Sequence, residues 1–254
     1  MNQNAIEIND VYFHYWTPRR EAYFPNVSLP LKRVVYDKKT ALSGINMQMR
    51  EGRITALLGR NGSGKTTLIK LLCGIRTPAA GNIRIFGTTA LEARNRMGVC
   101  LGNTLIYHRL SARENLEYFG KLYGVENLDG RTKELAELLE LEDVLDNMVE
   151  SFSFGMKAKL ALARSLVHSP DLLILDEPTL GIDIHLAREV RSFVKTLKCT
   201  VLLTTHYMEE AQELADDLVV IEKGKILDSG TKEKILDKYQ TTGVSEAFLQ
   251  ATGT

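Results

Sequence analysis

Apolar residues follow two rhythms along this chain, and each change of rhythm marks a change of element. Near the start, Ile6 and Ile8, then Val11, Phe13 and Tyr15, recur at every second position. That is the period of a strand with one buried face. The slip between Ile8 and Val11 predicts a bulge or turn at Asn9-Asp10. Ile45, Met47 and Met49 repeat the pattern and predict a second strand. Residues 54–58 predict a third, running straight into Gly59. Leu68, Leu71, Leu72 and Ile75 then share one helical face. Ile83 and Ile85 return to strand spacing after the turn residues Pro78 and Gly81.

From Ser111 the spacing is helical. Ser111 and Glu114 stand three apart, as in a capping box. Leu116, Phe119 and Leu122 or Tyr123 follow, then Leu135, Leu138, Leu139, Val144, Leu145 and Met148, extending a helical region to about Glu150. Met156, Leu160, Ala163 and Val167 line the face of another helix. Continuous apolar runs at 172–175, 201–204 and 218–221 predict strands buried on both faces, with helices between them. The expectation is one α/β domain over 1–254. A parallel core and an antiparallel N-terminal β part occupy 1–102 and 169–254, and a helical insert occupies 103–168.

Composition narrows the function classes. With 44% apolar and 25% charged residues, the chain has the make-up of a folded domain rather than a disordered tail. Its 32 bases balance 32 acids, so no global cationic excess points to nucleic acid as a partner. The balance is uneven along the chain. Residues 17–40 hold six bases against two acids, leaving 26 bases against 30 acids elsewhere. Pro18, Pro25 and Pro30 break this stretch up, so it reads as a basic insertion between the first two strands. Tyr23, Phe24, Leu29, Leu31, Val34 and Val35 interleave with its charges. That mixture suits anionic headgroups or a partner subunit on a membrane-facing side. Cys73, Cys100 and Cys199 are too few for a disulfide framework and read as buried, inert thiols in a reducing compartment. No apolar run approaches the about 20 residues that span a bilayer, and the N-terminus lacks signal-peptide character.

The chemistry concentrates in residues 59–66, Gly-Arg-Asn-Gly-Ser-Gly-Lys-Thr, which match G-x-x-x-x-G-K-[ST] between a strand and a helix. Gly59, Asn61, Gly62, Ser63 and Gly64 form a loop whose backbone N–H groups converge on phosphate oxygens. Lys65 reaches the β- and γ-phosphates, Thr66 offers its hydroxyl to Mg2+, Thr67 joins the nucleotide-binding set, and the helix beginning near Lys65 turns its positive end to the anion. Downstream, the apolar run at 172–175 ends in Asp176 and Glu177. Such a strand delivers Asp176 to the carboxyl edge of a parallel sheet, as a magnesium ligand reached through water. Glu177, one step on, is placed to activate an attacking water. Ser153 and Gly155 begin a helix and form a second anion site.

Taken in order, residues 59–66, Ser153 to Met156, and 172–179 resemble the motifs of the ATP-binding subunit of an ABC transporter. So do Leu180-Gly-Ile-Asp183, which is similar to the family's D-loop, and Thr205-His206, which looks like its switch histidine. The resemblance covers nearly all of the chain. It implies a P-loop NTPase (RecA-like) fold, ATP and Mg2+ as ligands, ATP hydrolysis, and a head-to-tail homodimer with ATP between the phosphate loop of one copy and Ser153/Gly155 of the other. It also implies a separate transmembrane permease and a peripheral place on the cytoplasmic face of the membrane. By the same resemblance Glu177 polarises water, His206 senses the γ-phosphate, Asp183 couples the two sites, and an aromatic near the first strand stacks on adenine. Tyr15 is the choice for that aromatic, and Tyr36 the runner-up. The signature departs from the family with Phe154 and Met156 where Gly and Gln are usual. Where the family has a Gln after the strand at 97–101, this chain has Gly102-Asn103-Thr104, making Asn103 the candidate magnesium contact. The 17–40 stretch and Ser-Phe-Gly-Met-Lys resemble exporters of lipid-linked glycans. Residues 177–183 and 206–211 look more like drug or lipid exporters. A soluble ABC ATPase acting as an assembly scaffold is the alternative from another class.

Overall fold

The computed structural model describes residues 4–22, 32–101 and 105–253. In chain order the strands are β1 (Asn4–Ala22), β2 (Lys32–Arg50), β3 (Ile54–Leu58), β4 (Ala80–Ile85), β5 (Met97–Leu101), β6 (Leu172–Asp176), β7 (Thr200–Thr205), β8 (Asp217–Glu222) and β9 (Lys225–Thr231). The helices are α1 (Lys65–Leu72), α2 (Ala90–Ala93), α3 (Ala112–Leu122), α4 (Leu128–Leu138), α5 (Phe154–Leu166), α6 (Ile184–Thr196), α7 (Met208–Leu214), α8 (Lys232–Lys238) and α9 (Val244–Thr252).

The apolar runs become the middle of a six-stranded sheet in the order β5-β6-β7-β3-β8-β9, parallel except for β9. Leu172, Leu173, Ile174 and Leu175 are fully buried, because helices cover one face of this sheet and a second sheet lies over part of the other. That second sheet is antiparallel, in the order β2-β1-β4. Ile6, Ile8, Val11 and Phe13 of β1 meet Ile45, Met47 and Met49 of β2 in a core shared with α1 and β6. Asp10 sits at the expected slip with φ of 50°, and its N–H donates to Asn46 Oδ1 at 3.0 Å. The helices α3, α4 and α5 pack together, and α5 also packs on β5.

The structure departs from the sequence pattern at several points. The prolines do not break the basic stretch throughout: β1 continues to Ala22, β2 begins at Lys32, and Pro18 pairs with Tyr36. β4 leaves β1 at Tyr12, so the later part of β1 is an edge strand, where a missing N–H denies no neighbour a bond. Pro25, Pro30, Tyr23, Phe24, Leu29 and Leu31 lie outside the described residues. Ile75 does not extend the first helix. α1 stops at Leu72, the chain turns through Gly74 at φ of 68°, and Ile75 is exposed. Leu122, Leu138 and Met148 are likewise exposed rather than core, because the 112–150 region is two helices followed by short 3-10 turns. One hairpin, β8–β9, was not among the expected elements. The thiols divide: Cys100 is buried while Cys73 and Cys199 are half-buried. Burial lifts the Cys73 and Cys100 thiols to about 11, which keeps them protonated and inert.

The capping box of α3 forms as expected, with Ser111 Oγ accepting from Glu114 N–H and Glu114 accepting from Ser111 N–H. One turn later, fully buried Asn115 accepts from Tyr107 N–H at 2.7 Å and donates to the Tyr107 and Ser111 carbonyls. The Tyr107 and Ser111 carbonyls also accept from the Leu110 and Asn115 N–H groups, so the Tyr107 N–H is the group that depends on this amide. Asn115→Ala is expected to lower stability by about 1–3 kcal/mol, because it strands that N–H and removes a buried amide's bonds. Equilibrium urea unfolding measures the loss, and an unchanged midpoint would refute it.

Candidate functional site

Three neighbouring strands, β6, β7 and β3, pair so that Asp176 lies beside Thr204 and Leu58 beside Thr205. Their carboxyl ends therefore stop at one level. β3 hands over to the glycine loop, β6 to Asp176-Glu177, and β7 to His206. Gly62 and Gly64 turn the loop with φ of 80° and 117°. At Gly64 a side chain would be strained by its φ and would also meet Leu42 Cδ2 at 2.8 Å. The first sheet thus braces the loop from behind, and only glycine fits.

The side chains that converge there are charged and partly buried. Lys65 is 6% exposed and donates from Nζ to the Gly59 carbonyl at 2.6 Å. The same Nζ stands 3.4 Å from Glu177 Oε1. The other carboxylate oxygen, Oε2, lies 2.6 Å from His206 Nδ1. Glu177 is held in a left-handed conformation, φ 52°, which costs a non-glycine residue about 1–2 kcal/mol. Its N–H donates to the Thr204 carbonyl at 3.0 Å, which helps hold that geometry. Asp176 accepts a short hydrogen bond from Thr204 Oγ1. Burial raises the Asp176 carboxyl above its ordinary range, and the neighbouring Glu177 charge adds to this against the Thr204 hydrogen bond and Lys65. Behind them Glu210 is buried, accepts from Thr179 Oγ1 at 3.0 Å, and is also raised by burial.

A cleft of about 760 Å³ opens over these groups. Of the expected residues, Tyr15, Asn61, Gly62, Gly64, Lys65, Thr66, Thr67, Asp176, Glu177 and His206 line it. Gly59 and Ser63 lie just beneath, and Ser63 Oγ is a buried polar atom without a partner among the described residues. Tyr15 holds its ring edge-to-face against Phe13, with centroids 5.0 Å apart, and its hydroxyl is 3.2 Å from Thr67 Oγ1. Tyr36 is exposed and outside the cleft. Trp16, Lys39, Arg60 and Lys223 line the cleft too and were missed. Trp16 follows Tyr15 in an alternating strand, which assigns it to the solvent side. Lys223 sits in the β8–β9 turn, which the sequence pattern did not reveal. Asn103 lies outside the described residues.

Ser153, Gly155 and Asp183 line a different cavity, with Phe154, Gly181 and Glu189. Ser153 caps α5 by accepting from Met156 N–H at 3.2 Å. A side chain on Gly155 would strike Leu186 of α6, so the two helices close on each other there. Asp183 caps α6, accepting from His185 and Leu186 N–H at 3.0 and 3.1 Å. Those N–H groups hold its carboxyl below the ordinary range. One copy of the chain therefore carries the phosphate loop and the signature helix in separate cavities.

Residues 42–180, more than half the chain, match the family described as ABC transporter. The chain belongs to the ABC transporter family. It is 34% identical over 226 residues to the ABC transporter ATP-binding protein NatA of Bacillus subtilis (strain 168), covering 84% of this chain and 92% of that one. It is 38% identical to the daunorubicin resistance ATP-binding protein DrrA3 of Streptomyces coeruleorubidus, covering 82% and 68%. It is 37% identical to the Nod factor export ATP-binding protein I of Ralstonia nicotianae, covering 88% and 73%. In fold it is similar to an ATP-binding subunit of an ABC transporter, with a TM-score of 0.80, 24% identity and coverage of 98% and 99%. It is also similar to a dimeric ATP-binding cassette bound to ADP and Pi, with a TM-score of 0.73, 20% identity and coverage of 89% and 98%. The chain is thus the ATPase subunit of an ABC transporter, binding and hydrolysing ATP. None of its helices, among the described residues, is long and apolar enough to cross a membrane.

The raised Asp176 carboxyl makes stability depend on pH. The native state binds that proton more tightly than the unfolded chain does, so the native state is favoured in acid. The cost of ionising the group appears as pH rises through the unfolded value and is complete above the folded one. Asp176→Asn removes the cost and keeps an acceptor for Thr204. The nucleotide-free variant should be more stable than the wild type at neutral pH, with the difference shrinking as pH falls into the carboxylate range. Urea titrations across that range check it, and a gain independent of pH would refute it.

Proposed function

We propose that Lys65, Asp176, Glu177 and His206 form the hydrolytic centre, and that Ser153, Gly155 and Asp183 of a second copy complete it. The observation that supports this reading is the junction of β3, β6 and β7, where a lysine, two carboxylates and a histidine surround one phosphate-loop cleft. Lys65, already close to Glu177, has a cation to offer an incoming phosphate, and Ser63 Oγ has an unused donor. Thr66 and Asp176 are hard oxygen donors that fit Mg2+, whose remaining positions go to phosphate and water. When bound there, Mg2+ would neutralise charge developing on the transferred phosphoryl. Glu177 accepts a proton from the attacking water, and His206, at 2.6 Å, fixes the carboxylate's orientation. Tyr15, backed by Phe13, offers a ring to the adenine end of the cleft.

Because the two half-sites occupy separate cavities of one chain, ATP is buried fully only between two copies arranged head to tail. ATP thus favours the closed dimer, and hydrolysis releases it. The dimer drives a separate permease subunit, which holds it at the cytoplasmic face of the membrane. We infer export of a lipid-linked glycan, on the resemblance of the 17–40 stretch and the 153–157 segment to such exporters. The drug-resistance relatives favour a second reading, a drug or lipid cargo.

Glu177→Gln should slow ATP turnover by about 100-fold or more, with ATP affinity within about threefold of wild type. Steady-state turnover and equilibrium nucleotide binding measure both. Normal turnover would remove Glu177 from the role of base. Lys65→Ala should weaken ATP binding by about tenfold or more, through loss of a charge-assisted contact. For the assembly, a tagged chain drawn from detergent-solubilised membranes should bring a polytopic membrane protein with it. Soluble partners alone would favour the scaffold.

A further inference from the structure

The turn between β8 and β9 brings to the phosphate loop a cation that the hydrolytic centre does not use. The loop rests on the end of β8, where a side chain on Gly59 would meet the Ile221 carbonyl oxygen at 2.5 Å. Gly224 N–H donates to the Ser63 carbonyl at 2.8 Å, and Ser43 N–H donates to the Gly224 carbonyl at 2.8 Å. The turn is therefore bonded to the phosphate loop on one side and to β2 on the other. Gly224 takes φ of 74°, and a side chain there would strike the Ala41 carbonyl, so the turn and β2 approach as closely as backbones can. Lys223, one position earlier, is held at φ of 47°, in the left-handed region that residues with side chains seldom occupy. Its side chain is exposed, lines the phosphate-loop cleft and makes no ion pair among the described residues. Lys65, by contrast, already has the Gly59 carbonyl and Glu177 as partners.

Strand order says which part of a nucleotide Lys223 meets. The order β6-β7-β3-β8 sets Glu177, His206, the phosphate loop and Lys223 side by side beyond the strand ends. Neighbouring strands stand about 4.8 Å apart, so Lys223 flanks the loop on the side away from Glu177 and His206. The turn also touches β2 at Ala41, and Lys39, two residues before it, pairs with Tyr15 at the proposed adenine end.

We propose that Lys223 is a nucleotide-binding residue, whose ammonium contacts the phosphates that ADP retains, from the flank of the loop opposite the hydrolytic centre. This contact rests on the reading of the cleft as the ATP site. Backbone strain of the Lys223 kind persists where the surroundings enforce it, and the two hydrogen bonds of Gly224 do so here. A lysine on a flexible stem is a mobile point charge. It holds the phosphate chain before and during reaction alike, so it adds affinity rather than rate.

The test measures ADP binding to the full chain, at protein concentrations that sedimentation shows to be monomeric, together with steady-state ATP turnover. Lys223→Ala should raise the ADP dissociation constant and the KM for ATP about fivefold each at low salt, and less at high salt, with kcat within about twofold. Lys223→Asn removes the charge but suits the left-handed backbone, so it should reproduce that loss without disturbing the turn. Lys223→Glu should raise both constants about 20-fold, and Lys223→Arg should keep both within about threefold of wild type. Lys225→Ala removes a neighbouring charge outside the cleft and should change neither constant. Unchanged ADP affinity in Lys223→Asn and Lys223→Glu would overturn the contact. An equal loss in Lys225→Ala would overturn it as well, by tracing the effect to overall charge. A fall in kcat with KM unchanged would count the same way. Lys65→Ala is the reference. If it leaves ADP affinity intact, the reading of the cleft fails and the Lys223 contact with it. If it weakens ADP while the Lys223 variants do not, the Lys223 contact alone fails.

Discussion

Parallel pairing of β6, β7 and β3 is the constraint on which the rest depends. Hydrogen-bonded register fixes where each strand ends, and these three end together. A glycine loop, two carboxylates and a histidine, 147 positions apart at their extremes in the chain, thereby meet within hydrogen-bonding reach of one another. A slip of one residue in β6 would turn Asp176 to the opposite face of the sheet and carry Glu177 away from Lys65. The burial of the apolar strand residues on both faces is what makes such a slip costly. Core packing and site geometry are therefore the same structural fact seen at two ends of the strands.

The charges gathered at that edge are mutually dependent. Lys65 is nearly buried and is held between the Gly59 carbonyl and the nearby Glu177 carboxylate. Glu177 in turn is shared between Lys65 and His206 and sits in a left-handed backbone conformation. Asp176 is disfavoured as a carboxylate by its burial. The cleft therefore gathers charged groups that are partly removed from water. Preorganisation of this type is costly to stability and useful to chemistry, because the groups need not move far to meet a phosphate.

Much of this was legible in the sequence, for reasons that differ by residue. The glycine loop and its lysine are local: their geometry needs only a strand before and a helix after, and both flanks have strong apolar patterns. Asp176 and Glu177 were legible because an apolar run ending in acids marks a strand edge. Ile75 misled because helical spacing continues past the true end of α1, and only Gly74 signals the stop. Trp16 was hidden because alternation assigns it to solvent, and the cleft is reached over the rim rather than through the sheet. The hairpin arms were hidden by Pro18, whose effect depends on whether a third strand lies alongside, a tertiary fact that no local pattern carries.

The division of the nucleotide site also bears on assembly. The phosphate loop and the Ser153/Gly155 mouth lie in separate cavities of one chain. In the head-to-tail dimer proposed above, each copy offers its phosphate-loop cleft to the other's Ser153/Gly155 mouth, so one kind of contact completes both sites. An arrangement of that kind is two-fold and closes after two copies. The neutral total of 32 bases and 32 acids leaves no large net charge to oppose it.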